Sequence, residues 1–388
     1  MPLSDRLQPH HRVFAAFAIY AFGLGQLFPR LPEIKAAMGI AEGTLGLALI
    51  GTSLGTIIAL TLSAPLVERV GYRKSLLILI PVMSACFACA VFATGPLALF
   101  VLLIPAGLAV GAIEAIINIE ADRTEATMDR RIMNRAHAFW SIGFFAAGMF
   151  SAALASLGTS PQWQLILALP IVCLATWVCL SDFTPAPKRG TDSQNAAPLI
   201  ARPTFAIVVL FGFTLSAMLL EGASNDWSAI YMTSVFEVAP YMGGLAVATG
   251  AIAQGLVRYF ADGFVEKYAP VAVARMMLTT MAIGVLLVFF ASSPAIALLG
   301  FACIGAGTSV MFPLAMSAAA QRSDRSAAFN VAALAQMSFV AFLLGPPLLG
   351  FIAEHLGLRW AFGFGLPLII LSFALAGTLG SKPARQKS

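Results

Sequence analysis

The chain has 388 residues, of which 59% are hydrophobic and only 11% charged, less than half of the roughly 25% charged residues usual in a water-soluble domain. That composition excludes an ordinary soluble globule, and apolar runs of about 20 residues, the length a helix needs to cross a hydrocarbon core of about 30 Å, recur along the whole chain. The net charge of +5 is scattered in short blocks between those runs, which excludes a nucleic-acid patch gathered on one face.

In chain order the runs predict twelve helices, at 12–31, 44–66, 75–94, 97–121, 135–157, 162–181, 204–224, 241–261, 271–291, 294–318, 327–350 and 358–380. Alternating segments of about 10 residues, the mark of a membrane β-barrel, do not occur. The first helix follows MPLSDRLQPHHR without a small-residue cleavage site, so it is expected to be retained and not removed as a signal peptide. All five cysteines, Cys86, Cys89, Cys173, Cys179 and Cys303, fall inside predicted spans, which argues against disulfides and a structural metal. The long polar connection 182–203, SDFTPAPKRGTDSQNAAPLIAR, reads as a flexible linker between an N-terminal six-helix bundle (1–181) and a C-terminal one (204–388). With the N-terminus inside the cell, all but Arg30, Lys35 and Arg359 of the 23 Lys and Arg residues fall on the inner side, Arg258 among them. The positive-inside rule therefore puts both termini and the linker in the cytoplasm.

The two halves resemble each other. TLGLAL at 44–49 and MGGLAV at 242–247 are 198 residues apart, and the same shift lays Val67-Glu68-Arg69 on Val265-Glu266-Lys267. Trp163 and Pro170 in WQLILALP correspond to Trp360 and Pro367 in WAFGFGLP at a shift of 197. A duplicated six-helix unit is the usual construction of a secondary transporter, with its site at midplane between the halves.

APLVERVGYRK (64–74) resembles the G-x-x-x-D-R-x-G-R-R loop of the major facilitator superfamily, with Ala64 for the leading Gly and Glu68 for the Asp, while FADGFVEKYAP (260–270) is similar to a degraded second copy. FPRLPEIKAAMG (28–39), MNRAHAFWSIG (133–143), EGASNDWSAIY (221–231), MFPLA (311–315) and LLGPPLLGFIAE (343–354) together resemble the MosC-like branch of that superfamily. The resemblance implies an all-α fold of twelve transmembrane helices in two pseudo-symmetric bundles, working by rocker-switch alternating access. It leaves substrates mostly undefined, the namesake of the branch being associated with rhizopine, a methylated inosamine. It also implies that helices one and seven line the path.

Several polar residues are placed where a carrier needs them. Glu68, Arg69, Gly71, Arg73 and Lys74, with Asp262, Glu266 and Lys267 of the second copy, are expected to form a cytoplasmic latch, since a short basic turn pairs with acidic groups and helix ends that a rocking motion must release. Arg30 and Glu221 fall at equivalent depths of helices one and seven, near the outer mouth of a cavity; snorkelling to the outer interface is the competing reading. Asp226, beside Ser224 and Asn225, is expected to cap a broken end of helix seven. Glu114, Asn118 and Asp122 recur at steps of four on helix four, and Glu114, the deepest carboxylate, suits a proton carrier or substrate group; Glu120 faces elsewhere. His137, near Arg135 and Trp140, reads as a packing and interface residue. Gln254, Asn330 and Gln336 are uncharged polar groups inside spans, suited to solute hydroxyls or to interhelical hydrogen bonds.

No ATP-binding, metal-binding or hydrolase motif occurs in the sequence. The expected protein is not an enzyme and carries no cofactor. Its expected partners are the lipid bilayer, protons and a small polar solute, a sugar, cyclitol or amino-sugar, taken up by a monomer in a bacterial inner membrane. A drug or metabolite exporter by proton antiport, and a non-transporting sensor or accessory protein, are the alternatives.

Overall fold

The computed structural model describes residues 8–63, 67, 69–187 and 201–380, without the side chains of Asp262 and Ala328. Eleven of its helices are long and apolar enough to cross a membrane. In chain order these are α1 (Pro9–Met38), α2 (Glu42–Leu62), α3 (Tyr72–Ala90), α4 (Pro96–Met128), α5 (Met133–Ser156), α6 (Pro161–Leu180), α7 (Phe205–Phe236), α9 (Pro270–Phe289), α10 (Pro294–Ala320), α11 (Ala327–Leu356) and α12 (Leu358–Leu379). The twelfth, α8 (Tyr241–Lys267), has the length but carries Gln254, Arg258, Asp262, Glu266 and Lys267. It falls short in apolarity because it bears polar chemistry.

Local signals explain the boundaries. Proline opens α1, α4, α6, α9 and α10, where its missing N–H has no intrahelical partner to lose and its φ is already helical. Gly71, at φ 88°, turns the chain into α3, a conformation that a Cβ makes costly. Several helices outrun their predicted ends. Within α1 the chain passes through a 3₁₀ turn at Phe28–Arg30 and resumes as Leu31–Met38. Helix α7 runs unbroken for 32 residues, so Asp226 lies within it and caps nothing.

The twelve helices form two pseudo-symmetric bundles, α1–α6 and α7–α12, so both ends of the described chain lie on one face, here the terminal face; the opposite one is the distal face. The bundles meet along two pairs, α5 with α8 and α2 with α11, which the duplication relates to one another. Toward the distal face these pairs touch backbone to backbone. A Cβ on Gly148 of α5 would stand 2.8 Å from the Gly244 carbonyl of α8, and one on Gly350 of α11 would stand 2.6 Å from the Glu42 carbonyl of α2. The 3₁₀ turn of α1 also packs against α7 and α8. The distal face is thereby closed.

Candidate functional site

The middle of the molecule holds a polar cluster to which both bundles contribute. From the first bundle, the Tyr20 hydroxyl of α1 donates to Glu114 Oε1 of α4 at 3.0 Å. One turn further along α4, Asn118 donates to the Glu114 carbonyl at 2.9 Å and its Oδ1 lies 3.2 Å from His137 Nε2 of α5. Phe17 stacks edge-on against His137 at 5.1 Å. His137 is thus drawn into the cluster and not to the interface.

The second bundle contributes a cation and its counter-charge. Arg258 Nη2 of α8 donates to Glu221 Oε1 of α7 at 3.3 Å, its Nε to the Ser309 carbonyl of α10 at 3.1 Å, and its Nη1 to Ser141 Oγ of α5 at 3.4 Å. Ser141 also donates to Gln254 Oε1 of α8 at 3.2 Å, and Gln254 donates onward to Thr308 at 3.3 Å. A guanidinium and a glutamine of one bundle therefore converge on one serine of the other. Ser141 Oγ also lies 3.3 Å from the His137 carbonyl, which joins the two halves of the cluster. Glu221 has a cation; no basic side chain pairs with Glu114 among the described residues.

Two further features border this cluster. Ser224, Asn225 and Ser228 lie within about 60° of Glu221 around α7 at 100° per residue, and the buried hydroxyls of Ser224 and Ser228 have no partner. On α5, Trp140 stacks on Phe144 at 5.0 Å, the Phe28 ring lies 5.5 Å from that of Phe144, and the Trp140 Nε1 donor is buried without a partner. Buried polar atoms without partners are costly, so these three leave hydrogen-bond capacity to spare.

The other predicted residues lie elsewhere. Arg30 is buried on the distal side of the first bundle, where it grips Glu33 at 2.8 and 3.0 Å, the Thr159 carbonyl at 3.0 Å and the Gln164 side chain. It ties α1 to α6 and is no counterpart of Glu221; helix depth alone placed them together. Asn330 donates to Asp324 at 2.9 Å in the turn before α11, and Gln336 accepts from the Ala201 amide at 3.0 Å. Both knit the terminal side, and only Gln254 of the three amides joins the cluster. The Asn330 amide, followed by Arg322 and Thr204, holds the Asp324 carboxyl below its usual range. Asp122 is exposed, and Glu120 is buried, accepting from the Ala186 amide at 3.0 Å.

Of the expected latch, Glu68 and the Asp262 side chain lie outside the described residues. Arg69, Arg73 and Lys74 are exposed and form no ion pair among the described residues, Gly71 makes the turn before α3, Glu266 is exposed, and Lys267 lies 5.3 Å from the Tyr268 ring. Arg258 was missed because a cation near a predicted helix end reads as a topology signal. Helix α8 continues nine residues past it, to Lys267, about 14 Å further along the axis, so it lies within the helix and not at its end.

The Major Facilitator Superfamily model matches residues 13–224 and 204–388. An uncharacterized MFS-type transporter of Yersinia pestis is 28% identical over 92% of both chains, and an uncharacterized transporter of Sinorhizobium fredii is 27% identical over 92% of this chain and 94% of that one. The membrane protein MosC of Rhizobium meliloti is 24% identical over 86% of this chain and 81% of its own. Among solved structures, the nucleoside transporter NupG superimposes with a TM-score of 0.69 at 13% identity, covering 97% of this chain and all of that one; this likeness is one of fold.

Proposed function

Because the chain belongs to the major facilitator superfamily of membrane transporters, we propose that it is a secondary active carrier of a small polar solute, driven by protons, which rocks its two bundles about the central cluster. The observation that carries this reading is the Arg258 guanidinium, which bonds Glu221 of its own bundle and Ser141 of the other. Charged groups at membrane depth cost at least about 3 kcal/mol each and are retained where they face protein or a wet path. A solute entering the cluster competes for these hydrogen bonds, so binding and the contact between bundles become the same event. Glu114, held by a tyrosine hydroxyl and paired with no cation among the described residues, is the proton-carrying group in this reading, and Glu221 is the charge that Arg258 trades between bundle and solute.

The backbone contacts at Gly148 and Gly350 make this the state closed on the distal face. The Lys and Arg distribution favours the terminal face as cytoplasmic, in a bacterial inner membrane, with residues 182–203 joining the bundles of a monomer. The unpartnered hydroxyls of Ser224 and Ser228 and the unpartnered Trp140 indole N–H favour a polyhydroxylated ring as solute, a sugar, cyclitol or amino-sugar, and the nucleoside carried by the similarly folded NupG has that chemistry too.

The test has two steps. Purified protein is screened by thermal shift against sugars, cyclitols, nucleosides, amino acids and drugs, since a ligand at a hundred times its Kd stabilises the native state by about 2.7 kcal/mol. The stabilising solute is then offered to proteoliposomes with and without a proton gradient. Uptake that rises with the gradient is expected; a bound solute that does not cross overturns the carrier reading, and drug efflux in its place favours the exporter.

A further inference from the structure

A groove of about 500 Å³ lies away from the central cluster, in the seam between α3 and α6 on the outside of the first bundle. Leu77 and Pro81 of α3 face it, as do Pro170, Cys173, Leu174 and Trp177 of α6. The α6 set recurs at steps of three and four, so one stripe of that helix faces the crevice. Leu174, Trp177 and Cys173 are exposed, and at this depth exposure means contact with lipid. A proline in each wall faces the crevice, and neither can give an amide hydrogen to the carbonyl four residues earlier.

Two observations distinguish this crevice from an ordinary lipid-facing groove. Thr176, only 1% exposed, lines it, and its buried hydroxyl has no partner. It lies four residues from the end of α6, about 6 Å along the axis, close to where glycerol esters begin. Arg73, Leu77 and Pro81 also follow one another at steps of four, so the basic first turn of α3 stands over the crevice on the same helix face. Arg73 and its neighbour Lys74 are exposed and make no ion pair among the described residues.

We propose that the α3–α6 crevice holds one anionic phospholipid of the leaflet on the terminal face, with its acyl chain along Leu77, Pro81 and Leu174, its ester oxygens within reach of Thr176, and its phosphate at Arg73 and Lys74. Apolar walls alone accept any lipid chain; the two cations select a headgroup of net negative charge, each by roughly fivefold. The indole of Trp177 lies where aromatic residues gather at the membrane boundary. Arg73 and Lys74 belong to the basic turn of the expected latch, so lipid and latch compete for the same charges. The leaflet's anionic content then biases how readily the terminal face closes. This assignment does not depend on what the central cluster carries.

The full chain is reconstituted in phosphatidylcholine vesicles containing equal amounts of either chain-brominated phosphatidylcholine or chain-brominated phosphatidylglycerol, and tryptophan quenching is compared. Quenching beyond the phosphatidylcholine level is expected with phosphatidylglycerol. That excess should vanish in Trp177→Phe, fall several-fold in Arg73→Ala/Lys74→Ala, and vanish in Cys173→Phe, which fills the crevice without touching the charges. Equal quenching by both lipids, an excess that survives in the crevice-filled variant, or a dimer that shields Trp177 from both lipids would overturn the proposal.

Discussion

Arg258 of α8 and Glu221 of α7 stand 3.3 Å apart, with 12% and 21% of their side chains exposed, and the same guanidinium reaches Ser141 across the bundle interface. Removing one member of such a pair leaves the other charge partly desolvated without compensation, whereas removing both does not. Arg258→Met should therefore destabilise the protein more than Arg258→Met/Glu221→Gln, with a coupling of about 1 kcal/mol between the two sites in thermal or denaturant unfolding. Both single variants should lose solute uptake by at least tenfold. Additive stabilities would mean that the pair is incidental.

Glu114 and Tyr20 separate charge from hydrogen bonding. Glu114→Gln keeps the shape and removes the ionisable group, so binding measured by thermal shift should persist while the gradient dependence of uptake disappears. Tyr20→Phe keeps the carboxylate and deletes its donor; gradient dependence should remain, with uptake reduced roughly tenfold for a lost hydrogen bond to a charged group. Gradient-driven uptake in Glu114→Gln would remove this carboxylate from the coupling.

The distal seam leaves no room for a side chain at Gly46. In Gly46→Val the new Cβ would meet the Pro346 carbonyl of α11, while each bundle keeps its own packing. The expected result is a folded protein shifted toward the distal-open state, seen as a longer and broader distance between spin labels at the exposed Ala36 of α1 and Leu356 of α11. An unchanged distance distribution would show that α2 and α11 do not control this face.

Asp324 provides a pH test outside the membrane. Its carboxylate accepts from Asn330, Thr204 and Arg322 at 2.9, 3.2 and 3.3 Å, and these contacts hold its folded pKa below the unfolded value. A depressed carboxylate stabilises the fold above its unfolded pKa, about 3.9, and this contribution is lost as pH falls through the folded value. Wild type should melt above Asp324→Asn at neutral pH, and the two should converge in acid. Parallel melting curves down to pH 3 would contradict the assignment.

Much of the architecture was legible because lipid imposes it. Apolar runs of spanning length marked all the helices, and even α8, the least apolar, announced itself by length. Glu114 and Glu221 stood out because ionisable groups at membrane depth are rare. Pairing was less legible, since periodicity gives depth and face but not the neighbour across the gap. Arg30 and Glu221 share a depth yet belong to different networks. The continuation of α7 past residue 224 was hidden because Glu221, Asn225 and Asp226 resemble a helix end when read as sequence, whereas neighbouring helices supply the burial that lets the helix continue. Asn330 and Gln336 looked central by hydropathy, and the turn containing Asp324 and the Ala201 amide drew them to the terminal side.

The glycine contacts at the distal seam have a mechanical consequence. Long side chains across a gap can stretch and swing, keeping partial contact as two surfaces separate; a carbonyl resting on a bare α-carbon cannot. Contact at Gly46, Gly148 and Gly350 is made at full depth or is absent, so half-open arrangements of this face keep little beyond the Glu354 carboxylate on the Gly43 amide. Such a joint snaps between two positions, which keeps a carrier from leaking through the states between them.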